Sequence, residues 1–246
     1  MRVRAAIVTG RIPVLECLRG GKRAARRLLV LQGARELDAI LDAAKAIPVE
    51  VCPREAIDRL AGGMTHQGVV LEADPLPVLE LDAWLRRDWD ENAVALVLDG
   101  IEDPQNFGGI IRSAAAFGAA GVLFAKDRAA PLSPAVVKAA AGGVEYVDLV
   151  RVVNVARTLR AMQDAGFWAA AFEADAPQTL WEANLRGRLA LVIGGEGRGV
   201  RRLVRERCDM LLRIPIGGPI SSLNASVSAA IALAECARQR WQSASS

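Results

Sequence analysis

Short apolar runs alternate with helix-like stretches along almost the whole 246-residue chain, and this alternation limits the folds available to it. Residues 93–98 (AVALVL) and 189–193 (LALVI) are continuous apolar runs, which is typical of strands buried on both faces. Strands that alternate with helices predict a mostly parallel sheet with helical crossovers. The predicted fold class is therefore α/β.

The predicted elements fall into two groups. In the N-terminal group, strands are predicted at residues 28–31, 49–52 and 68–72, and helices at 35–46 and 53–61. In the C-terminal group, strands are predicted at 93–98, 121–124, 146–150, 167–171, 189–193 and 211–214, and helices at 106–117, 133–141, 154–165, 200–207 and 223–241. Two prolines and an acid-rich amphipathic stretch separate the groups. We expect one domain at residues 1–74, a linker with a short helix at 75–92, and a second domain at 93–246.

Several protein classes are excluded by composition. A hydrophobic fraction of 52% with 24% charged residues is too apolar for a disordered chain. The longest nearly uncharged run, residues 104–125, is rich in small residues and makes a poor membrane span, and the N-terminus lacks the apolar core of a signal peptide. We therefore expect a cytoplasmic protein with no membrane partner.

Metal ligands and disulfide patterns are also missing from the sequence. The four cysteines are scattered without a CxxC pair, and His66 is the single histidine. No spacing in the chain suits a zinc or iron site, so we expect no metal. Cys208 and Cys236 lie in helical patterns and are predicted to be core residues rather than nucleophiles.

The net charge of +3 is concentrated at the N-terminus. Residues 1–35 contain nine basic side chains against one acid, Glu16. The nine are Arg2, Arg4, Arg11, Arg19, Lys22, Arg23, Arg26, Arg27 and Arg35. Arginine pairs well with phosphate, so this basic block suggests contact with a nucleic-acid backbone, although a solvated helix face would show the same charge.

In a parallel sheet, ligands gather where the strands end, so the strand-to-helix loops are the places to look for a site. The first unusual loop follows residues 93–98. Asn106 stands where a helix N-cap is expected, and Arg112 follows among small and apolar neighbours that let a backbone or ligand come close. Arg112 needs an anionic or carbonyl partner there. An internal ion pair with Asp99, Glu102 or Asp103 is the alternative to a functional role.

Two further loops have similar character. Residues 189–200 place Glu196 among four glycines, which permit close backbone approach but match no nucleotide-binding signature. Residues 213–235 combine Ile214 and Pro215 with a Gly-Gly-Pro turn before an alanine-rich helix. Ser221, Ser222 and Asn224 precede that helix, so capping explains one or two of them.

Taken together and in order, NFGGIIRSAAAFG, VIGGEGRGV and IPIGGPISSLNASVSAAIAL resemble the three signature motifs of the SpoU (TrmH-type) branch of the SPOUT RNA methyltransferases. GRIPVLECL at residues 10–18 and HQGVVLE at residues 66–72 resemble the ribosomal-protein-like RNA-binding domain that these enzymes often have. This pairing is most similar to the bacterial 23S rRNA guanosine 2′-O-methyltransferases.

The resemblance implies a trefoil-knotted methyltransferase domain that dimerises through the knot and takes S-adenosylmethionine as methyl donor. Gly194, Ile214 and Leu223 would line the pocket of the methyl donor. The catalytic set would be Asn106, Arg112, Glu196, Ser222 and Asn224. His66 would be structural or RNA-facing, and Ile12 departs from the polar residue that relatives often have at its position.

Arg112 occupies the position of the base proposed in this family, but its guanidinium, with a pKa above about 12, does not readily lose a proton. We expect Arg112 instead to bind the phosphate beside the target ribose, with Asn106 and Glu196 holding both in place. Ser222 and Asn224 would shape the loop at the methyl donor.

Other functions remain open from the sequence. Methylation of tRNA or of an rRNA adenosine would use the same motifs. A ribosome-assembly factor without activity, or a generic nucleotide-binding α/β protein, are the alternatives outside this enzyme class.

Overall fold

The computed structural model describes residues 5–127, 129–197, 199–220 and 222–244. Arg2 and Arg4 of the basic block and the candidate cap Ser221 lie outside these ranges. The described residues form two compact units, and each has its own sheet. The first unit contains the residues up to Pro77 together with Ala141–Tyr146, and the second contains the rest.

The first unit is a four-stranded sheet with three helices. Its elements are β1 (Ala6–Thr9), α1 (Arg11–Gly20), β2 (Ala25–Leu31), α2 (Asp38–Ala43), β3 (Val49–Cys52), α3 (Arg54–Ala61) and β4 (Val69–Ala73). The strand order is β1-β4-β2-β3, with β4 antiparallel to both neighbours and β3 parallel to β2. Side chains alternate across the sheet, so Leu28 packs in the cluster under α1 and α2 while Leu29 packs with Ile57 of α3.

Most of the basic block is paired with acids within this unit. Arg11 lies 3.4 Å from Glu36, and Arg19 lies 3.9 Å from Glu16. Arg26 pairs with Asp74, and Arg27 pairs with both Glu50 and Glu72. The charge excess that the sequence shows over residues 1–35 is therefore largely balanced by acids from elsewhere in the unit.

Arg23 is the most deeply buried member of the basic block. Its Nη2 lies 2.6 Å from Glu145 Oε1, and the side chains are 4% and 1% exposed. Tyr146 donates to Glu16, a hydrogen bond that raises the pKa of its hydroxyl to about 12. Residues 141–146 were expected in the second domain, but these contacts hold them in the first unit.

The second unit is built on an eight-stranded sheet in which every pairing is parallel. Its strands are β5 (Leu79–Glu80), β6 (Val94–Asp99), β7 (Gly121–Ala125), β8 (Asp148–Val152), β9 (Trp168–Phe172), β10 (Gln178–Thr179), β11 (Leu189–Gly194) and β12 (Met210–Arg213). They lie in the order β10-β12-β9-β11-β6-β7-β8-β5. All six residues of β6 are buried, as the continuous apolar run predicted.

Helices cover this sheet. They are α4 (Leu81–Leu85), α5 (Pro104–Ala116), α6 (Pro134–Ala139), α7 (Val155–Asp164), α8 (Arg202–Arg205) and α9 (Ala225–Ala244). Glycines in α5 make close packing possible: a Cβ on Gly108 would lie 2.4 Å from Ala139 of α6, and one on Gly109 would lie 3.0 Å from Ser226 of α9. None of the described helices is both long enough and apolar enough to cross a bilayer.

The α/β class and the parallel sheet are confirmed, while several boundaries were wrong. The last helix begins at Ala225 rather than at residue 223, and β8 begins at Asp148 rather than at 146. Residues 143–145, just before β8, instead form a short 3-10 helix that places Glu145 against Arg23. The sequence did not predict β1, α1, β5 or β10. β5 pairs with β8, so the expected linker at residues 75–92 contains an edge strand of the second unit.

Candidate active site

The site lies at the edge of the large sheet where β6, β9, β11 and β12 end. Gly194 at the end of β11 is in register with Asp99 at the end of β6, and Phe172 at the end of β9 is in register with Leu212. Parallel strands direct the loops that follow them to one edge. The three loops singled out in the sequence are therefore brought together in the second unit.

Asn106 is not the helix cap that the sequence predicted. Helix α5 begins two residues earlier at Pro104, a residue suited to the first helical turn, and the Asp103 side chain caps it by accepting from Gln105 N at 3.0 Å. Asn106 therefore lies inside the first turn. Its side chain is buried, with 3% of the residue exposed, and is free to bond elsewhere.

A hydrogen-bonded network joins one residue from each loop. Asn106 Nδ2 donates to Glu196 Oε1 at 2.6 Å, and Asn224 Nδ2 donates to Asn106 Oδ1 at 2.6 Å. Asn224 Nδ2 also lies 3.4 Å from Glu196 Oε1. Residues that are up to 118 positions apart in the chain thus share one polar cluster.

The direction of these bonds is set by the N-cap of α9. Asn224 Oδ1 accepts from Ser226 N at 2.8 Å and from Ser226 Oγ at 2.6 Å, so Asn224, one of the three predicted candidates, caps this helix. With its oxygen occupied there, its amide nitrogen must face Asn106. Asn106 then presents its oxygen to Asn224 and its nitrogen to Glu196. Among the described residues nothing donates to Glu196 Oε2, so this oxygen can accept a hydrogen bond from a substrate.

The glycine loop, residues 194–200, carries Glu196 and has no room for side chains at its first two positions. A Cβ on Gly194 would lie 2.3 Å from Gly199 C, and one on Gly195 would lie 2.1 Å from Gly100 O. Only glycine fits such close backbone approach. Gly195 and Gly199 form an antiparallel bridge, which brings the two ends of the loop together beside Glu196.

Two clefts flank Glu196. The larger, of about 1160 Å³, lies between the glycine loop, the end of β9 and the segment that precedes α9. Gly194, Ile214 and Leu223, the three residues predicted to bind the methyl donor, line it together with Ser222. The smaller cleft, of about 520 Å³, is lined by Asn106, Arg201 and residues 99–103, and Glu196 borders both.

Arg112 does not join this network. It is exposed on α5, six residues after Asn106, which places the two side chains about 120° apart around the helix. It makes no hydrogen bond or ion pair within the described part of the chain, and it lines neither cleft. The internal ion pair with Asp99 considered from the sequence is absent because Asp99 pairs with Arg201. Among the described residues of one chain, neither Asn106 nor Glu196 bonds to Arg112, so the expectation that they hold it in place stays a prediction.

Sequence reasoning missed three residues beside the network. Glu173 follows β9 and accepts from Val200 N at 2.9 Å. Asp99 accepts from Arg201 N at 2.8 Å and from Arg201 Nε at 2.7 Å. Both acids come at or directly after a parallel strand, and that position could have marked them as facing the site.

Cysteine nucleophiles are not found at the site. No thiol lines either cleft among the residues that the structure describes. Burial raises the pKa of Cys208 to about 12 and that of Cys236 to about 12, so both thiols stay protonated at neutral pH.

Comparison with known proteins identifies the family. Residues 93–234 match the SpoU rRNA Methylase family, and residues 7–79 match the family described as RNA 2′-O ribose methyltransferase substrate binding. The chain belongs to the SpoU rRNA methylase family. It is thus an RNA methyltransferase.

Among curated relatives, the 23S rRNA (guanosine-2′-O-)-methyltransferase RlmB of Photobacterium profundum is 44% identical over 79% of this chain and 80% of its own length. An uncharacterized tRNA/rRNA methyltransferase of Mycolicibacterium vanbaalenii is 40% identical over 95% of this chain and 76% of its own.

Solved SpoU-family structures share the fold. An RNA 2′-O ribose methyltransferase superposes with a TM-score of 0.79 at 28% identity, covering 97% of this chain and 90% of its own. AviRb from Streptomyces viridochromogenes in complex with AdoMet superposes with a TM-score of 0.79 at 26% identity, covering 96% and 91%.

Proposed function

We propose that this chain transfers a methyl group from S-adenosylmethionine to the ribose 2′-hydroxyl of a guanosine in 23S rRNA. The observation that carries the proposal is the network of Asn106, Glu196 and Asn224 at the border of the large cleft. The guanosine and the 23S rRNA come from the similarity to the RlmB enzymes. Since no described thiol lines the clefts, the site suits transfer to an oxygen rather than cysteine-assisted transfer to a base.

The large cleft suits S-adenosylmethionine as methyl donor. Its volume is sufficient, and the backbone of the glycine loop at Gly194 and Gly195 forms part of its lining. Gly194, Ile214 and Leu223 would hold the methyl donor, and Ser222 would contact it from the same segment. When bound, its sulfonium supplies an electrophilic methyl group that needs no metal.

The network positions the acceptor. Glu196 Oε2, to which none of the described residues donates, would accept a hydrogen bond from the target ribose, while Asn106 and Asn224 bond to the other carboxylate oxygen. Holding the hydroxyl in line with the methyl group could supply up to roughly 7–11 kcal/mol of the rate enhancement. The role of these residues is therefore orientation, with Ser222 and Asn224 shaping the loop that faces the methyl donor.

Arg112 would bind the phosphate next to the target ribose and reduce the cost of forming an alkoxide, and that phosphate would take up the hydroxyl proton late in the transfer, as the methyl donor leaves as a neutral thioether. Its exposure and its lack of partners in the described chain leave the guanidinium free for an anion. Arg112 lies outside both clefts of its own chain. It therefore contributes to the active site of a second copy of the chain. This agrees with the homodimer that the family resemblance implies.

A trefoil knot is the remaining structural proposal. Strand β12 lies beyond β9 in the sheet, whereas α9, which follows it, packs on α5 and β11. The connecting segment lines the same cleft as the glycine loop. A chain that passes from β12 to α9 through that loop would produce this arrangement.

The first unit is the RNA-binding domain, because it matches the substrate-binding family. This argues against a tRNA substrate: a solved structure concerned with 2′-OH methylation of C/U34 on tRNA covers 62% of this chain but 99% of its own, so it lacks a counterpart to much of the rest. Ribosomal RNA as substrate also implies a cytoplasmic enzyme.

The proposal is tested by mapping 2′-O-methyl groups on unmodified 23S rRNA, tRNA and ribosomal precursor particles incubated with the protein and S-adenosylmethionine. We expect one methylated guanosine in 23S rRNA and none with the Asn106→Ala/Asn224→Ala variant. Methylation of an adenosine or of tRNA would show that the proposed guanosine of 23S rRNA is not the substrate. Heat of binding with S-adenosylmethionine but no methylation of any RNA would indicate an assembly factor, and binding of ATP or NAD instead would reject the family mechanism.

A further inference from the structure

Glu173 bonds to the end of the glycine loop from one side. It follows β9, a neighbour of β11 in the sheet, and its Oε1 accepts from Val200 N at 2.9 Å. Its own backbone N donates to Leu212 O at 2.9 Å, which ties Glu173 to the next strand. A carboxylate that accepts from a backbone amide makes a charge-assisted bond, roughly twice as strong as a neutral one.

Asp99 bonds to the same loop from the other side. It ends β6, the second neighbour of β11, and its carboxylate is fully buried. Its carbonyl accepts from Gly195 N at 3.0 Å where the loop begins, and its Oδ2 accepts from Arg201 N at 2.8 Å where the loop ends. Asp99 therefore bonds to both ends of the loop.

The two ends of the glycine loop also contact each other and Glu173. Gly195 and Gly199 form a bridge, and Gly199, at φ +60°, lies so near Glu173 that a Cβ there would be 3.1 Å from Oε2. Glu196 directly follows Gly195, and its carboxylate accepts from Asn106 at 2.6 Å. A shift of the loop ends would move Glu196 away from both asparagines.

We propose that Glu173 and Asp99 are positioning residues that fix the two ends of the glycine loop and thereby align Glu196 with Asn106 and Asn224. The inference rests on the proposed function, because its effect on rate assumes that Glu196 acts in methyl transfer. Neither residue acts on the substrate directly.

The rate test uses Glu173→Ala and Glu173→Gln in the full-length protein, with single-turnover methylation of 23S rRNA at saturating S-adenosylmethionine. Alanine removes the acceptor of Val200 N, and we expect the rate to fall about 10-fold or more. Glutamine keeps an acceptor oxygen without the charge, so it should recover the rate to within about threefold of the wild type. If Glu173→Gln were as slow as Glu173→Ala, the charge of Glu173 would matter and its hydrogen bond to Val200 N would not. That result would overturn the proposal.

Glu182 provides the matched control, because its carboxylate accepts from Thr179 N at 2.9 Å but lines neither cleft. Glu182→Ala should keep the wild-type rate. Equal slowing in Glu182→Ala and Glu173→Ala would show a general loss of stability, and it would count against a specific anchor. Wild-type activity in Glu173→Ala would also refute the proposal.

Amide hydrogen exchange tests the anchor without RNA or methyl donor. In Glu173→Ala we expect exchange of the Val200 amide to accelerate about 10-fold, and Glu182→Ala should leave it unchanged. Unchanged exchange in Glu173→Ala would reject the anchor. If the wild-type protein methylated no RNA, the proposed function would be wrong. The exchange measurement would still show whether Glu173 fixes the end of the glycine loop.

Discussion

The active-site loops of the second unit and the basic block of the first were both conspicuous in the sequence, but only the loops have the arrangement that the sequence suggested. Asn106, Glu196 and Asn224, from three separate motifs, meet in one network. Five of the basic side chains instead pair with acids of their own unit, as in the pair of Arg23 with Glu145.

The difference shows which kind of sequence pattern predicts contacts between distant parts of the chain. A motif fixes residue types at set distances from a strand end, and parallel strands bring such ends to one edge. A charge count over a window ignores acids that arrive from distant positions, such as Glu72 or Glu145.

The largest expected effect is on stability, at Arg23. Replacing it by methionine in Arg23→Met leaves the Glu145 carboxylate, 1% exposed, without its partner. Loss of one partner of a buried pair costs about 3–5 kcal/mol, so the urea midpoint of unfolding should fall markedly. If Arg23 served RNA binding instead, the variant would keep its stability and lose only RNA affinity.

Arg27→Met is the matched control for Arg23→Met. Arg27 is paired as well, with Glu50 and Glu72, but its side chain is 36% exposed. An exposed pair contributes about 0–1 kcal/mol, so its unfolding midpoint should change little. The double variant Arg23→Met/Glu145→Leu should recover much of the loss, because it removes both buried charges together.

The fold was predictable where pattern and period were strong. The buried runs that became β6 and β11 were placed within one residue. The two-residue strands β5 and β10 are too short to show a period, and β1 is only partly buried, so nothing in the sequence separated them from loops. The helix that ends at Ala43 was predicted to run to residue 46, because alanines there continue a helical composition without a break.

The second largest effect is on methyl transfer, at Arg112. Arg112→Ala should lower the single-turnover rate about 10²–10³-fold, as loss of a charge-stabilising group typically does, while S-adenosylmethionine affinity measured by calorimetry stays unchanged. The affinity should not change because Arg112 does not line the large cleft. Arg160→Ala, which removes an exposed arginine of α7 paired with Asp164, should keep full activity. A wild-type rate in Arg112→Ala would contradict its role.

The sequence predicted which residues belong to the site but not how they are arranged. The motifs supplied Asn106, Glu196 and Asn224, yet Asn106 was predicted to be a cap although Asp103 followed by Pro104 is the typical pattern of a helix start. The distance of Arg112 from the network follows from the helix angle, which motif order does not show. Glu173 and Asp99 bond to the loop through backbone amides, and such bonds depend on strand register rather than on residue type.

A mixing experiment distinguishes whether Arg112 acts in the active site of its own chain or in that of a second copy. Inactive Arg112→Ala and inactive Asn224→Ala proteins are unfolded together, refolded and assayed. If Arg112 completes the site of a second copy, each mixed dimer has one intact site, so about a quarter of wild-type activity should return. If Arg112 serves its own chain, no mixed dimer has an intact site and no activity returns. Refolding either variant alone is the control, and neither should regain activity.

The smallest expected effect sharpens the comparison within the basic block itself. Arg35 is exposed, and its side chain makes no ion pair within the described ranges, whereas Arg26 is bonded to Asp74 at 2.6 Å. Each free arginine that contacts a phosphate adds about 0.7–0.9 to the slope of log affinity against log salt, so Arg35→Ala should lower the slope for 23S rRNA fragments by that amount. Arg26→Ala should lower it less, because Asp74 competes with phosphate for the guanidinium. Equal changes would show that pairing inside the unit does not remove an arginine from RNA binding, and that the charge count over residues 1–35 was the better guide after all.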